Sequence, residues 1–335
     1  MKKYACLILF AFLLNGCDDG DLTVDQIDFE DIETAQSCDP LLNTLLYKLK
    51  PQESLLLQLP VNTILNDATK EGEPLVIDIE TGGNGAHRVL YRAYDGAVAV
   101  PNICGQIPPK TPSVTEEWLA ISGKIVITSV ADKTTDEVTK ATKITGYTHN
   151  INFQNITFEK PSGPNQVEVV FPFGTYKTTV TTPVVVEFTD ETAKYCKETK
   201  KIFNDNGTSA LVIKNIADGL IVNQVTPTGQ PRTQLINATS TTNNVFYEVY
   251  SEPLPTDPLV YFCTATTPLI PSVTQSWVGQ TGVAANNTGI IEVTTTEETN
   301  VFRHKVVLKA TTVQKGNSSF YLGTEKVIGS FVTAK

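Results

Sequence analysis

Apolar and polar residues alternate with a period of two along much of the chain, which is the pattern of half-buried β-strands. The clearest segments are residues 75–79, 89–94, 124–130, 167–171, 184–188, 290–296 and 305–312. Glycine and proline separate them, as in Pro108-Pro109 and in the loop of residues 82–85. Strands divided by such turn residues predict an all-β protein.

One segment fits a helix as well as a strand. Asp39-Pro40 precedes leucines at positions 41, 42, 45, 46 and 49, which is the start and the spacing of an amphipathic helix. The corresponding stretch in the second half of the chain, residues 201–214, is typical of two strands joined by a turn. We therefore expect a hairpin in both places.

The second half of the sequence repeats the order of the first. The segment 112–118, which ends in Trp118, recurs as 271–277, which ends in Trp277. Other segments match in the same order: 89–94 with 245–250, 147–153 with 302–308, and 173–176 with 328–331. A kept order with drifting spacing indicates duplication. We expect two tandem β-sandwiches, Ig-like or jelly-roll-like, at residues 35–180 and 195–335, with residues 181–194 as the linker.

Four cysteines lie in these repeats, one early and one in the middle of each copy: Cys38, Cys104, Cys196 and Cys263. Four cysteines allow three pairings. The repeat favours Cys38–Cys104 and Cys196–Cys263. Zinc sites need closely spaced cysteines with histidine support, which this sequence lacks, so we expect no metal and no cofactor.

The N-terminus has the pattern of an export signal. Lys2 and Lys3 precede an apolar run, residues 4–14, that is too short to span a bilayer as a helix. The run ends in Leu14-Asn15-Gly16-Cys17, which resembles the signal of bacterial lipoproteins. The resemblance implies a signal peptide at residues 1–16 and a lipid anchor on Cys17. The alternative is an ordinary secretory signal with an incidental cysteine.

Residues 18–33 contain eight acidic groups and no basic one. Because like charges repel, we expect an extended, disordered tether at residues 17–34. An acidic run behind the lipidated cysteine resembles the export signal of Bacteroidota surface lipoproteins, which implies the extracellular face of the outer membrane. In enteric-type bacteria an Asp in that position instead implies retention at the inner membrane. A calcium loop is a further alternative, but the run lacks the ligand spacing and the closing Glu.

The charge balance narrows the class of partner. The chain has 335 residues, with 26 Lys and Arg against 36 Asp and Glu, and a formal net charge of -10. Such an acidic chain is not expected to bind nucleic acid. Hydrophobic residues make up 41% of the sequence, enough to bury a core in each half.

Few residues in the sequence are candidates for ligand binding or catalysis. Trp118 and Trp277 are the only tryptophans and share one register; they are candidate sugar-stacking platforms, although a single tryptophan in a sandwich strand is more often core. His149 and His304 also share a register, and we expect both at the rim of the core, hydrogen-bonded to backbone.

The pair Glu116-Glu117 could suggest a glycosidase. Adjacent strand residues point to opposite faces, so surface charge is the simpler interpretation. The glycine loop 82–85 lacks the features of a phosphate site and predicts a turn.

The sequence therefore favours a non-catalytic binding or adhesion module, tied to a membrane through the lipid on Cys17. Two copies on one chain suit a binder, because two weak sites gain avidity. The layout is similar to that of accessory glycan-binding lipoproteins, and the ligand would be an extracellular glycan or protein. A carboxylate-dependent, glycan-active hydrolase and a structural envelope protein remain as alternatives.

Overall fold

A computed structural model of the chain describes residues 26–184, 186–188 and 190–335, without the side chains of residues 181–184. The signal peptide predicted at residues 1–16, the lipidation site predicted at Cys17, and residues 18–25 lie outside the described residues.

The N-terminal half, up to residue 184, forms one continuous antiparallel sheet with strand order β1-β2-β3-β5-β6-β7-β8, and β4 pairs with β6. Its elements are β1 (Gln36–Ser37), β2 (Leu45–Lys50), β3 (Glu53–Gln58), β4 (Leu75–Ile79), β5 (Arg88–Tyr94), α1 (Val100–Cys104), β6 (Val114–Thr135), β7 (Thr142–Glu159) and β8 (Gln166–Val184).

The C-terminal half, from residue 186, forms two antiparallel sheets with strand orders β9-β10-β11-β13-β14-β17-β18 and β12-β15-β16-β19. Its elements are β9 (Lys194–Cys196), β10 (Lys201–Asp205), β11 (Ser209–Lys214), β12 (Arg232–Leu235), β13 (Asn244–Tyr250), α2 (Leu259–Phe262), β14 (Val273–Gly279), a 3-10 turn (Ala284–Asn286), β15 (Ile290–Glu297), β16 (Val301–Lys309), β17 (Thr312–Lys315), β18 (Ser318–Tyr321) and β19 (Glu325–Ala334).

The strand order is the same in both halves once the long strands are divided. The start of β6 pairs with β5 and its later part with β4, as β14 pairs with β13 and β15 with β12. In the same way β7 corresponds to β16 plus β17, and β8 corresponds to β18 plus β19. Each half is an all-β sandwich, as predicted, and in the N-terminal half three strands pass from one layer into the other without a break.

Each sandwich has its own core. The N-terminal core includes Leu55, Trp118 and Phe153, and the C-terminal core includes Leu211, Trp277 and Leu308. Ile144 and Tyr147, near the start of β7, belong to the C-terminal core. The β6–β7 hairpin of the first half therefore packs onto the second half.

The predicted tether at residues 17–34 is wrong for its described part, residues 26–34. Ile27 and Phe29 are 2% and 1% exposed and belong to the N-terminal core. Lys48 donates to Phe29 O at 3.0 Å, and Lys50 pairs with Asp31 at 3.0 Å. The acidic side chains suggested repulsion, but the alternating apolar residues between them pack into the core.

The linker predicted at residues 181–194 is shorter in the structure. Strand β8 continues to Val184, residues 186–188 are not in a strand, and Ala193 is 3% exposed. Thr192 forms a parallel bridge with Ser330, as Thr34 does with Thr175. Both sandwiches therefore begin before the predicted limits of 35 and 195, each with a segment that packs along its last strand.

Glycine makes this packing possible in both halves. Gly174 and Gly329 have φ of +107° and +140°. A Cβ atom on Gly174 would lie 2.3 Å from Glu33 O, and one on Gly329 would lie 2.5 Å from Glu191 O. Any larger residue would push the leading segment away from the last strand.

The hairpin expected for the leucine-rich segment after Asp39-Pro40 is confirmed, since β2 and β3 pair from Leu45–Gln58 to Lys50–Glu53. Asp39 does not start a helix. Its Oδ1 accepts from the backbone N–H groups of Leu41 and Leu42, and this turn leaves the Leu41 side chain 86% exposed.

The predicted disulfides are present, Cys38–Cys104 and Cys196–Cys263, with Cα–Cα distances of 5.2 and 5.0 Å. Each ties a segment carrying a short helix onto the outside of its sandwich. We call residues 99–112 the N-terminal cap and residues 258–271 the C-terminal cap. The first covers a small cluster with Tyr47, Leu56 and Leu90. The second covers a larger, aromatic one. Each sandwich thus has a third layer.

Candidate functional site

A cavity of about 700 Å³ lies where the two halves meet, and we call it the junction cavity. Its walls come from the β6–β7 hairpin, from residues 186–188 and 190–191, and from the end of β18 with the start of β19. Hydrogen bonds between the halves hold these walls together: Tyr321 N donates to Thr142 Oγ1 at 2.8 Å, and Thr324 N donates to Thr139 O at 3.0 Å.

A second contact between the halves fixes the same geometry. Asp67 Oδ1 accepts from both the backbone N and the Oγ of Ser318, at 3.1 and 2.6 Å. Ser318 Oγ in turn accepts from Ala68 N at 3.0 Å. Because Ser318 is 2% exposed, this is a buried link that limits hinge motion between the sandwiches.

The junction cavity combines aromatic rings with acidic groups. Phe188 and Tyr321 are partly exposed in its wall. The charged lining residues are Asp136, Glu187, Asp190, Glu191 and Glu325 against Lys143 and Lys326. Lys326 lies 5.4 Å from the Phe188 ring, its Nζ donates to Val186 O, and burial lowers its pKa. This excess of carboxylates favours a neutral or cationic ligand over an anionic one.

The tryptophans lie in the cores, 1% and 3% exposed, so the suggested role of Trp118 and Trp277 as sugar-stacking platforms is wrong. Trp118 Nε1 donates to Glu116 Oε2 at 2.9 Å, and Trp277 Nε1 donates to Gln275 Oε1 at 3.3 Å. A lysine covers each ring from outside: Lys160 Nζ lies 4.4 Å from the Trp118 ring, and Lys315 Nζ lies 5.8 Å from the Trp277 ring.

Glu116 and Glu117 are not directed at a common point. Glu116 binds the Trp118 indole, whereas Glu117 Oε2 accepts from Arg92 Nε at 2.7 Å. The C-terminal half keeps the first contact with a glutamine, Gln275, so an ionised carboxylate is not required there.

His149 is fully buried, and its contacts correct the expectation of a rim histidine bonded to backbone. Its Nδ1 lies 2.7 Å from Ser129 Oγ, and its Nε2 lies 3.1 Å from Thr178 Oγ1. Thr178 donates its only hydroxyl hydrogen to Asn66 Oδ1 at 2.6 Å. Nε2 must therefore carry the proton and Nδ1 must accept from Ser129, which fixes a neutral tautomer.

His304 has the same arrangement in the C-terminal half. Its Nδ1 lies 2.9 Å from Thr295 Oγ1 and its Nε2 lies 2.9 Å from Thr333 Oγ1. Thr333 donates to Asn223 Oδ1 at 2.5 Å. Each histidine is thus held by two hydroxyls and an asparagine.

Burial lowers the pKa of both histidines. For His149 the value falls to about 4, although the negative charge of Asp132 opposes part of the shift. For His304 the positive charge of Arg232 adds to the effect of burial. At neutral pH both side chains are uncharged members of the core, and their surroundings favour a structural role.

A second cavity, about 430 Å³, lies under the N-terminal cap, and we call it the cap cleft. Tyr94 and Asn102 line it, Pro108, Pro109 and Pro112 form one side, and the Arg92–Glu117 ion pair lies at its edge. No feature of the sequence alone pointed to this position.

The remaining sequence candidates form no site. In the loop 82–85, Gly82 N donates to Ile121 O and Gly83 N donates to Glu80 O, as in a turn. Among the described residues, no group of three or more His, Cys, Asp or Glu side chains could hold a metal ion. No helix in the described part of the chain is long and apolar enough to cross a membrane.

Two short sequence motifs mark the leading segments and the histidine networks in both halves. Glu33-Thr34-Ala35 stands three residues before Cys38, and Glu191-Thr192-Ala193 stands three residues before Cys196. Asn66-x-x-Thr69 and Asn223-x-x-Thr226 place an equivalent asparagine and threonine beside each histidine network. Thr69 and Thr226 exchange hydrogen bonds with Ser129 and Thr295.

Comparison of the chain with protein-family models, curated proteins and solved structures finds no match.

Proposed function

We propose that the chain is a lipid-anchored cell-envelope protein of the Bacteroidota surface type, which acts outside the cell as a non-catalytic binding module. Its two sandwiches would derive from a duplication, in line with their common strand order. The ligand of the junction cavity would be an extracellular glycan.

The distribution of cysteines carries the proposal for location. All four cysteines of the sandwiches are paired in disulfides, which persist in oxidising compartments outside the cytoplasm. Cys17 stands apart from them, at the end of the export signal.

The packed segment at residues 26–34 limits the distance between the lipid on Cys17 and the first sandwich. Eight residues separate Cys17 from Gln26, where the described part begins, so nine Cα–Cα steps of about 3.5 Å each join them in a fully extended chain. The first sandwich would therefore stay within roughly 30 Å of the lipid anchor. The binding surface would act close to the membrane and could not extend far on a long tether.

The junction cavity is the candidate ligand site because its wall combines groups that sugars use. Phe188 and Tyr321 offer ring faces for the apolar side of a pyranose, and the carboxylates and threonines accept and donate hydrogen bonds to hydroxyls. The non-catalytic part of the proposal is supported by the buried, uncharged histidines and by the contacts of Glu116 and Glu117 described above.

The location is tested by labelling a Bacteroidota host that expresses the chain with radioactive palmitate. We expect label in the wild-type protein, none in Cys17→Ala, and digestion of the wild-type protein by protease added to intact cells. An unlabelled wild-type protein would contradict the anchor, and a labelled but protected one would contradict surface exposure.

The ligand is tested on a glycan array with the chain carrying Cys17→Ala. We expect binding that Tyr321→Ala weakens at least tenfold. Val167→Ala is the matched control, because Val167 pairs with Thr157 as Tyr321 pairs with Thr312 and is 64% exposed. No binding to any glycan, or equal loss in both variants, would contradict the proposal, and release of sugar would support the hydrolase alternative instead.

A further inference from the structure

The two caps differ at one position that decides whether space remains beneath them. Counting back from Cys104 and Cys263, Asn102 of α1 corresponds to Tyr261 of α2. Both helices lie on the outer face of a sheet, and both face a tyrosine that follows a β-bulge, Tyr94 in one half and Tyr250 in the other.

In the C-terminal half the Tyr261 side chain fills this space. It is 2% exposed, and its ring lies edge-to-face against Tyr250 with a centroid distance of 5.5 Å. Its hydroxyl donates to Pro271 O at 2.9 Å. The place beneath the C-terminal cap is thus shaped for a phenol, with an aromatic wall on one side and a backbone acceptor at the far end.

In the N-terminal half the smaller Asn102 leaves the place open. Asn102 Oδ1 accepts from Ala99 N at 3.0 Å and its Nδ2 lies 3.4 Å from Thr111 O, so the amide folds back onto the cap. The cap cleft remains between Tyr94 and Pro112, with about 430 Å³. The aromatic wall and the proline corresponding to Pro271 are kept, while the ring that fills the space is missing.

We infer that the cap cleft binds a tyrosine side chain of a partner polypeptide, in the place that Tyr261 occupies in the C-terminal half. The ring would lie beside Tyr94, against the part of that side chain that lines the cleft, and its hydroxyl would donate to Pro112 O. The Arg92–Glu117 pair at the edge provides donors and an acceptor for the backbone on either side of the tyrosine. A polypeptide fits this edge better than a free phenol, which has no groups to bind there.

The inference concerns a different surface from the junction cavity and does not depend on it. It is tested by isothermal titration calorimetry with N-acetyl-tyrosinamide, using the full-length chain with Cys17→Ala, which receives no lipid. We expect saturable binding of one molecule per chain. N-acetyl-leucinamide, which lacks the ring, should bind at least tenfold more weakly, and p-cresol, which lacks the amides, should also bind more weakly.

Two opposite variants make the test specific to the cleft. Asn102→Tyr places a ring in the cleft and should weaken binding at least tenfold, whereas Asn102→Ala leaves the cleft open and should retain binding. Tyr261→Asn should open an equivalent cleft in the C-terminal half and raise the stoichiometry from one to two.

Unchanged binding by Asn102→Tyr, or no saturable binding by the parent chain, would overturn the inference. Equal or tighter binding of p-cresol would overturn the polypeptide source. If Tyr261→Asn does not fold, the contrast between the two Asn102 variants still decides the outcome. Failure here would leave glycan binding sensitive to Tyr321→Ala untouched, so the two proposals fail separately.

Discussion

The two halves share one strand order, but different side chains make equivalent contacts in them. Lys48 and Asn204 occupy the same register position, next to the leading segment, and are 2% and 3% exposed. Lys48 reaches Phe29 O with its ammonium group, whereas Asn204 reaches Asp190 O and Ile328 O with its amide at 2.6 and 2.7 Å. Both donate hydrogen bonds to backbone carbonyls.

This difference has an electrostatic cost on one side only. Burial lowers the pKa of Lys48 to about 8, with the charge of Asp31 opposing the shift. Asn204 also donates to backbone carbonyls but carries no charge. The fold therefore needs a buried hydrogen-bond donor at this position, and either a charged ammonium group or a neutral amide meets that need.

The two caps differ in another way: the volume filled by side chains beneath them differs. In the C-terminal cap, the rings of Tyr261 and Phe262 contact each other and contact Tyr250 and Phe203 of the sheet. The N-terminal cap covers a smaller cluster beside an open cleft. We expect the N-terminal cap to depend more on its disulfide.

The largest predicted effect comes from removing the disulfides in pairs. Cys38→Ser with Cys104→Ser, and Cys196→Ser with Cys263→Ser, should each lower the free energy of unfolding by about 4 kcal/mol, because each opens a loop of similar length. Denaturant unfolding of the two double variants measures this loss.

Hydrogen exchange then separates the caps. In the first double variant the amides of residues 99–112 should lose protection, whereas in the second the amides of residues 258–271 should keep most of theirs. Equal loss of protection in both caps would contradict the role assigned to the aromatic cluster.

The sequence was sufficient to predict most of the strands and the disulfide pairing, because both depend on local or repeated patterns. The strand predicted at residues 184–188 is an exception, since β8 ends at Val184 and residues 186–188 are not in a strand. Alternation within each strand marks the buried face, and the matching segment in the second half resolves an ambiguity that the first half leaves open. The leucines after Asp39 fit a helix until residues 201–214 are aligned with them, and the structure then confirms the hairpin.

Features that depend on contacts between residues far apart in the sequence could not be predicted from it. Thr178 meets His149, and Asn66 meets Thr178, only because the fold brings these distant residues together. The Asn-x-x-Thr motif by itself does not show which histidine lies beside it. The cap cleft lies where the N-terminal half has Asn102 and the C-terminal half has the ring of Tyr261. An asparagine at this position does not by itself indicate a cleft. The tether prediction failed because charge was weighed above the alternation of Ile27 and Phe29.

The second prediction concerns the two histidines and acid. A histidine whose pKa is lowered on folding takes up its proton more readily in the unfolded chain, so stability falls as the pH drops from about 6.5 towards 4. The shift at His149 corresponds to about 3 kcal/mol once the pH is below 4, and His304 adds a loss in the same direction.

The variants His149→Gln and His304→Gln test this prediction. Glutamine can still donate to one hydroxyl and accept from the other but does not titrate in this range. Urea unfolding at pH 7 and pH 4.5 should show a smaller loss in each variant than in the parent chain. A pH dependence that neither variant changes would assign the acid sensitivity to other groups.

The smallest predicted effect is at Glu116 and tests how far the halves are interchangeable. Glu116→Gln places in the N-terminal half the residue that the C-terminal half already uses to accept from its tryptophan. The free energy of unfolding should change by less than about 0.5 kcal/mol. Glu116→Ala removes the acceptor from the buried indole N–H of Trp118 and should cost about 1 kcal/mol. If glutamine costs as much as alanine, the negative charge itself is required, and the two tryptophan sites differ in kind although their geometry is shared.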